Sequence, residues 1–306
     1  MTNSLWNEKY RPKTIADYVG NEELVSNIKH WIDTNDVPNL LLHSSSPGTG
    51  KTTAAKLIAN SLDADVMYIN ASSENGIEVI RQKITAFVEN VGFSRWKIVI
   101  LDEADFISVN GMAALRSVME EYTKNSRFIL TCNYVERIIE PIQSRCVAFH
   151  VNPPSKAAVA KRMVHILNGE GIRFDPINLK KIVDQFYPDQ RRIINSLQTY
   201  SRTGELTVPS DTLLVADYAS KILAELKSIK DVKTAYANIR QIIADSKVRQ
   251  FDDLYKLLYD NIDCFPDGKR AMIILQLADF SYKSAFVVDK EINTMAMIIN
   301  ILQILK

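Results

Sequence analysis

Cysteine is scarce in this chain of 306 residues. Only Cys132, Cys146 and Cys264 are present, and no C-x-x-C pair occurs. An odd number of widely spaced cysteines argues against a disulfide framework and against a zinc site, and it is typical of proteins from a reducing compartment.

Charge of one sign and long apolar runs are lacking too. The formal net charge is only +1. No overall basic field therefore points to nucleic acid, and any such binding must come from a local arrangement of side chains. No apolar run is long enough to cross a bilayer, and we find no signal peptide. We therefore expect a soluble, cytoplasmic protein.

The composition is otherwise that of an ordinary globular protein, with enough residues for two or three domains. Apolar runs alternate with helix-period segments in the first half of the chain, which predicts an α/β fold with a parallel sheet and helices on both faces. A break at Asn152-Pro153-Pro154 and another at 204–209 are followed only by helical patterns. We predict an α/β domain over 1–152, a small helical domain over 153–208 and a helical bundle over 209–306.

The strongest motif is LLLHSSSPGTGKTT at residues 40–53. A buried strand, a glycine-rich turn and the start of a helix form the context that a phosphate-binding loop requires, although Ser45 replaces the first glycine of the usual pattern. Backbone N–H groups at such a helix start form a site for anions. Lys51 would reach the β- and γ-phosphates of ATP, and the Thr52 hydroxyl would hold Mg²⁺. The predicted nucleotide contacts here are Pro47, Gly48, Thr49, Gly50, Lys51, Thr52 and Thr53.

A second motif, KIVILDEAD at residues 97–105, ends a predicted strand in carboxylates. Ligands of open α/β sheets bind at the carboxyl ends of strands, so both side chains would face the nucleotide. Asp102 can order the Mg²⁺ shell, and Glu103 is the natural base to polarise an attacking water. The alternative is a solvated acidic turn, and the phosphate loop upstream argues against it.

Two further polar residues follow the next predicted strand. Asn133 ends the apolar strand 127–132 and could set an amide beside the γ-phosphate. Arg145 lies between a predicted helix end and a strand, and an arginine there can neutralise charge on a transferred phosphoryl group. Taken alone, Asn133 could be a turn residue and Arg145 an ordinary surface arginine.

Together the motifs resemble the clamp-loader ATPases of the AAA+ superfamily, that is, the small subunits of replication factor C and the ATPase subunit of T-even phage loaders. The segments that carry this resemblance are WNEKYRP at 6–12, PGTGKTT at 47–53, LDEAD at 101–105, TCN at 131–133 and QSRC at 143–146. PDQRR at 188–192 resembles the second sensor of that family, with Pro188 in place of glycine. Ser45 and the short chain look more like the bacteriophage members.

The resemblance implies a helical lid domain, a C-terminal helical collar and further site residues. Asn133 would be the first sensor, and Arg191 would reach the γ-phosphate as the second. Arg145 would act in trans on the ATP site of an adjacent subunit, so the partners would be similar AAA+ subunits in a ring or spiral and a non-identical loader subunit. The residues implied near adenine and ribose are Tyr10, Arg11, Pro12, Val19 and Gly20.

Other contacts implied by the resemblance rest on fewer residues. Arg81, Lys83 and Arg116 would contact the backbone of primer–template DNA, unless they are solvated charges on helices. Phe93 would touch the sliding clamp, unless it caps the core. The histidines show no metal-ligand spacing.

These patterns predict an ATP-hydrolysing, DNA-dependent subunit that opens a sliding clamp and places it on DNA. Another AAA+ motor, such as a branch-migration helicase, would share the phosphate loop but has no reason to carry both WNEKYRP and SRC. A DEAD-box RNA helicase would need strands in its second half. A structural subunit that binds nucleotide without hydrolysis is disfavoured by intact Lys51, Thr52, Asp102 and Glu103.

Overall fold

A computed structural model describes residues 5–20, 22–90, 92, 94–207, 210–228, 231–246, 248 and 251–306. Contacts divide the chain into two compact units, Met1–Thr207 and Val208–Lys306. The three-domain division made from the sequence stays a prediction, and each unit is described by itself.

The first unit is built on a parallel sheet of five strands, in the order β2-β3-β4-β1-β5. The predicted α/β fold is confirmed. The order brings the ends of β1, β3 and β4 to one edge of the sheet, where the predicted motifs follow them. The strands are β1 (Leu40–His43), β2 (Ala64–Asn70), β3 (Trp96–Asp102), β4 (Ser126–Cys132) and β5 (Val147–His150).

Alternating side chains of the central strands enter two separate apolar cores, as the period of two in a strand requires. Leu40, Ile98 and Ile129 belong to one core, whereas Leu41, Val99 and Leu130 belong to the other. Both faces are therefore covered. The helices of this unit are α1 (Trp6–Lys9), α2 (Glu22–Thr34), α3 (Lys51–Asn60), α4 (Thr85–Glu89), α5 (Val109–Glu121), α6 (Glu140–Gln143), α7 (Lys156–Gly169), α8 (Pro176–Phe186) and α9 (Gln190–Tyr200).

Two helical segments of this unit differ in how closely they follow the local sequence pattern. Ser155 is the N-cap residue of α7, and its side chain accepts a hydrogen bond from the Ala158 N–H. The apolar-periodic stretch before β3 is not one continuous α-helix, because a π-helical segment, Val79–Ile84, precedes α4. Apolar periodicity places Ile80 and Ile84 in the core but does not distinguish the two helix types.

The second unit is helical, as its apolar periodicity predicts. Its core includes Phe251, Ile273 and Met297, which are fully buried. Within the described residues, no helix is long and apolar enough to span a membrane. The helices are α10 (Ser210–Lys227), α11 (Val232–Ser246), α12 (Asp252–Asp260), α13 (Asp267–Ser284) and α14 (Lys290–Leu305).

Candidate active site

One cavity of the first unit gathers nearly all of the residues predicted to bind nucleotide. It lies where β1, β3 and β4 end, beneath the N-terminal segment (residues 5–20) and the start of α9. Gly20 is not among its lining residues, and Arg145 lies elsewhere. The predicted residues that line it are Tyr10, Arg11, Pro12, Val19, Pro47, Gly48, Thr49, Gly50, Lys51, Thr52, Thr53, Asp102, Glu103, Asn133 and Arg191.

The phosphate loop adopts backbone angles that require glycine. Gly48 and Gly50 have φ values of +68° and +99°, in the left-handed region. A Cβ on Gly48 would stand 2.0 Å from Oδ1 of Asp189, the N-cap residue of α9. This close approach brings the start of α9, and Arg191 with it, to the phosphate loop.

Lys51 is held inside the loop. Its Nζ donates to the carbonyl oxygens of Ser44 at 3.0 Å and Ser46 at 3.1 Å. Burial lowers the pKa of Lys51, because the ammonium group loses water contacts. A half-buried cation at the start of α3 adds to the positive end of the helix dipole, so the loop favours an anion.

Asp102 is buried at the end of β3 and accepts three hydroxyl hydrogen bonds. Thr52 Oγ1 donates to its Oδ1 at 2.7 Å, and Thr131 Oγ1 donates to the same oxygen at 2.5 Å. The phenol of Tyr68 donates to Oδ2 at 2.7 Å. The carboxylate is thus fixed in one orientation by side chains from α3, β4 and β2.

The residues present fit a magnesium ion. A hydroxyl and a carboxylate, Thr52 and Asp102, meet on the cavity wall, and oxygen donors of this kind are what Mg²⁺ prefers. When bound, the ion would neutralise negative charge on the phosphate oxygens. Among the described residues, no cluster of three or more His, Cys, Asp or Glu side chains offers a rival metal site.

Glu103 follows Asp102 with a left-handed backbone, φ +56°, which is uncommon for a residue with a side chain. Its N–H donates to Thr131 Oγ1 at 3.1 Å, and the same hydroxyl donates to Asp102. Thr131 therefore fixes the turn that carries both carboxyl groups. The side chain of Glu103 lines the cavity, where a base for the attacking water is required.

The backbone at Asn133, the residue predicted to be the first sensor, is held in place by a buried carboxylate. Asp105, the last residue of the LDEAD motif, accepts from the backbone N–H groups of Asn133 and Tyr134, both at 3.3 Å. The turn after β4 is thereby tied to the turn after β3. Asn133 lines the cavity as a consequence.

Comparison with known proteins decides the family. Residues 41–153 match the family described as "ATPase family associated with various cellular activities (AAA)". The replication factor C small subunit of Sulfurisphaera tokodaii is 34% identical over 313 residues, which is 96% of this chain and 94% of that one. Replication factor C subunit 5 of Mus musculus is 32% identical over 309 residues, covering 96% and 90%. The chain belongs to the replication factor C small-subunit family of clamp-loader ATPases.

The resemblance inferred from the motifs is therefore confirmed, and so is ATP hydrolysis as the activity. The small subunit of Archaeoglobus fulgidus is 42% identical over 216 residues, or 68% of this chain and 67% of that one. The solved structure of the Holliday junction branch migration motor RuvB of Thermotoga maritima has a TM-score of 0.57 and 14% identity, covering 75% of this chain and 85% of that one. At that identity the likeness to RuvB concerns the fold alone.

Of the remaining predicted residues, those that the structure describes lie outside the cavity. Arg145 pairs with Glu120 and donates to the Pro141 carbonyl oxygen at 2.6 Å. Arg116 pairs with the same Glu120 at 3.1 Å, and Lys83 pairs with Glu74.

All three DNA candidates are exposed, and among them only the Arg81 side chain makes no hydrogen bond or ion pair within the part of the chain that the structure describes. Phe93, the clamp candidate, lies outside the described residues.

Sequence reasoning missed several cavity residues of this ATPase. Arg162 of α7 donates to the carbonyl oxygens of Asp17 at 2.6 Å and Tyr10 at 2.7 Å. Burial lowers its pKa. Tyr18 is buried, and burial raises its pKa to about 12. No periodicity or motif in the sequence connects α7 with the N-terminal segment, so only the fold reveals these contacts.

We expect Arg162→Ala to weaken ATP binding by about tenfold. Two charge-assisted hydrogen bonds hold the N-terminal segment, and each is worth about 1.5–3 kcal/mol. Part of that loss would lower the free energy of unfolding, and part would lower the affinity for ATP. Fluorescence titration of a nucleotide analogue measures it, with Arg202→Ala, an exposed arginine in the same unit, as the control. Equal affinities for the two variants would contradict the assigned contact.

Proposed function

We propose that this protein is an ATPase subunit of a sliding-clamp loader. It uses ATP binding and hydrolysis to open the clamp and place it on primer–template DNA. The observation that carries the proposal is the convergence of the phosphate loop, the acidic pair and both sensor residues on one cavity, in a chain of the replication factor C small-subunit family.

The chemistry of this cavity follows from its residues. The loop N–H groups and Lys51 bind the β- and γ-phosphates, and Arg191 approaches the γ-phosphate from α9. Glu103 accepts a proton from the attacking water. Asp105 fixes the backbone of Asn133, and the Asn133 side chain then orients that water.

Arg145 supports a site shared between subunits. It does not line the cavity of its own chain, and its side chain is about one-third exposed, held by Glu120. We propose that it enters the cavity of a neighbouring subunit in a ring or spiral, where its charge stabilises the transition state. A lone subunit would then have an incomplete active site.

The second unit offers a surface for assembly. Large apolar side chains along α13, in the turn that follows it and at the start of α14 are strongly exposed, which is unusual for a monomer in water. They would be covered by similar subunits or by a non-identical loader subunit in a collar. The most exposed are Val288, which is fully exposed, Phe286 at 71%, Tyr282 at 70%, Ile292 at 69% and Leu275 at 67%.

Contacts with DNA are proposed for Arg81, Lys83 and Arg116, and with the clamp for Phe93. The ion pairs of Lys83 and Arg116 are solvent-exposed and therefore weak, so phosphate groups could replace their partners. Ser45 in the phosphate loop is the feature that favours a bacteriophage source, although the relatives described above are archaeal and eukaryotic. The site of action would be the cytoplasm, of the host cell in that case.

Steady-state ATP hydrolysis tests this function. We expect the rate to rise with primer–template DNA and with the sliding clamp encoded in the same genome, and to rise most with both. DNA and clamp together would complete the active sites shared between subunits, because each adds contacts that favour the assembled ring or spiral. Magnesium-free buffer and Lys51→Ala serve as controls. Stimulation by DNA that ignores the clamp would instead favour a DNA-remodelling motor.

A further inference from the structure

Tyr68 is a contact of Asp102 that no nucleotide-binding motif predicts. It lies on β2, the edge strand next to β3, and pairs in register with Ile100. Its side chain is not buried, and 42% of its surface is exposed. The phenol nevertheless reaches Oδ2 of Asp102 at 2.7 Å. A half-exposed tyrosine would ordinarily direct its hydroxyl to water. The hydrogen bond to Asp102 therefore indicates that the Tyr68 side chain is held in this orientation.

The ring of Tyr68 is held from the other side by the helix that follows the phosphate loop. Lys56 Nζ lies 4.2 Å from the ring centroid, a cation–π contact. Lys56 and Thr52 are four residues apart on α3 and share one face of that helix. The same face of α3 thus supplies the hydroxyl that contacts Oδ1 and the cation that covers the ring.

The two oxygens of Asp102 have different partners as a result. Oδ1 accepts from Thr52 and Thr131, which line the cavity. Oδ2 accepts from Tyr68, which is not a cavity residue. Without the phenol, the carboxylate could rotate, and its charge would no longer be directed at the Thr52 hydroxyl.

We propose that Tyr68 is a positioning residue for the magnesium site: it fixes the orientation of Asp102 and thereby sets the affinity of the nucleotide-bound protein for Mg²⁺. This inference rests on the proposed ATP site. It predicts a role in metal affinity that is separate from nucleotide affinity, because Tyr68 belongs neither to the phosphate loop nor to the cavity lining.

The variant Tyr68→Phe tests this role, since it removes the hydroxyl and keeps the ring beside Lys56. We expect the Mg²⁺ concentration that half-saturates binding of a fluorescent ADP analogue to rise by about tenfold, the lower end of effects from outer-shell substitutions. In EDTA the affinity for the analogue and the melting temperature should match the wild type. This readout is equilibrium binding and does not depend on turnover.

Tyr122→Phe is the matched control. Its phenol also donates to a carboxylate, Glu89 Oε1 at 2.8 Å, on the surface of the same unit. An unchanged Mg²⁺ requirement in Tyr68→Phe would overturn the inference, and so would an equal loss of affinity in EDTA, which would indicate a general structural role. A wild-type protein that binds no nucleotide at any Mg²⁺ concentration would instead contradict the proposed function itself.

Discussion

Arg145→Ala is expected to lower kcat for ATP hydrolysis by about a thousandfold and to leave ATP affinity nearly unchanged. An arginine that contacts the transferred phosphoryl group is worth about 10³–10⁵ in kcat, since it stabilises charge that develops only in the transition state. Arg145 is absent from the cavity of its own chain, so binding there should not need it. Steady-state turnover with DNA and clamp, beside equilibrium binding of an ATP analogue, measures both quantities.

Arg137→Ala is the control for that variant, because Arg137 is exposed nearby and packs on the ring of Tyr134. A mixture of the two variants Arg145→Ala and Glu103→Gln provides a sharper test. Arg145→Ala retains Glu103, and Glu103→Gln retains Arg145, so about a quarter of the interfaces in an equal mixture would be complete. Recovered turnover in the mixture supports action in trans. Activity of Arg145→Ala close to that of the wild type would contradict the assigned role.

Glu103→Gln should lower kcat by about 10²–10⁴, the usual contribution of a positioned general base. The amide keeps the size of the side chain but cannot accept a proton from water. The backbone of Glu103 is held by Thr131 in a left-handed turn, and that contact does not involve the substituted group. ATP should therefore bind normally and remain unhydrolysed.

Single-turnover hydrolysis of radiolabelled ATP separates the loss of catalytic rate in Glu103→Gln from any change in ATP binding. Glu78→Gln, an exposed carboxylate of the same unit, controls for the change in charge. A variant that loses ATP binding together with hydrolysis would show that Glu103 acts in binding rather than as the base.

Local signals predicted the fold and much of the cavity. The apolar runs predicted strands close to those observed; Asp102 ends β3, and Asn133 follows the neighbouring strand β4. A parallel sheet necessarily brings such strand ends together, which is why motifs far apart in the sequence meet. Gly48 and Gly50 were recognisable because only glycine adopts their backbone angles at low cost.

Contacts between distant segments escaped prediction. Tyr68 looks like any half-buried strand residue, and Arg162 like any charged residue of a helix, until the fold brings them to Asp102 and Tyr10. The ion pair of Arg145 with Glu120 likewise joins the loop after α6 to α5, and no motif connects these two segments. Such contacts depend on which faces of helices meet, and a single sequence carries no signal for that.

Retention of the clamp on DNA tests the central claim most directly. The labelled clamp is incubated with primed circular DNA, ATP and the protein, together with any loader subunit that co-purifies with it, and the DNA is separated by gel filtration. The account predicts that the clamp elutes with circular DNA only when ATP is present, and that linearising the circle releases it. A clamp that stays off the DNA while ATP is hydrolysed at the full DNA-stimulated rate would contradict clamp loading.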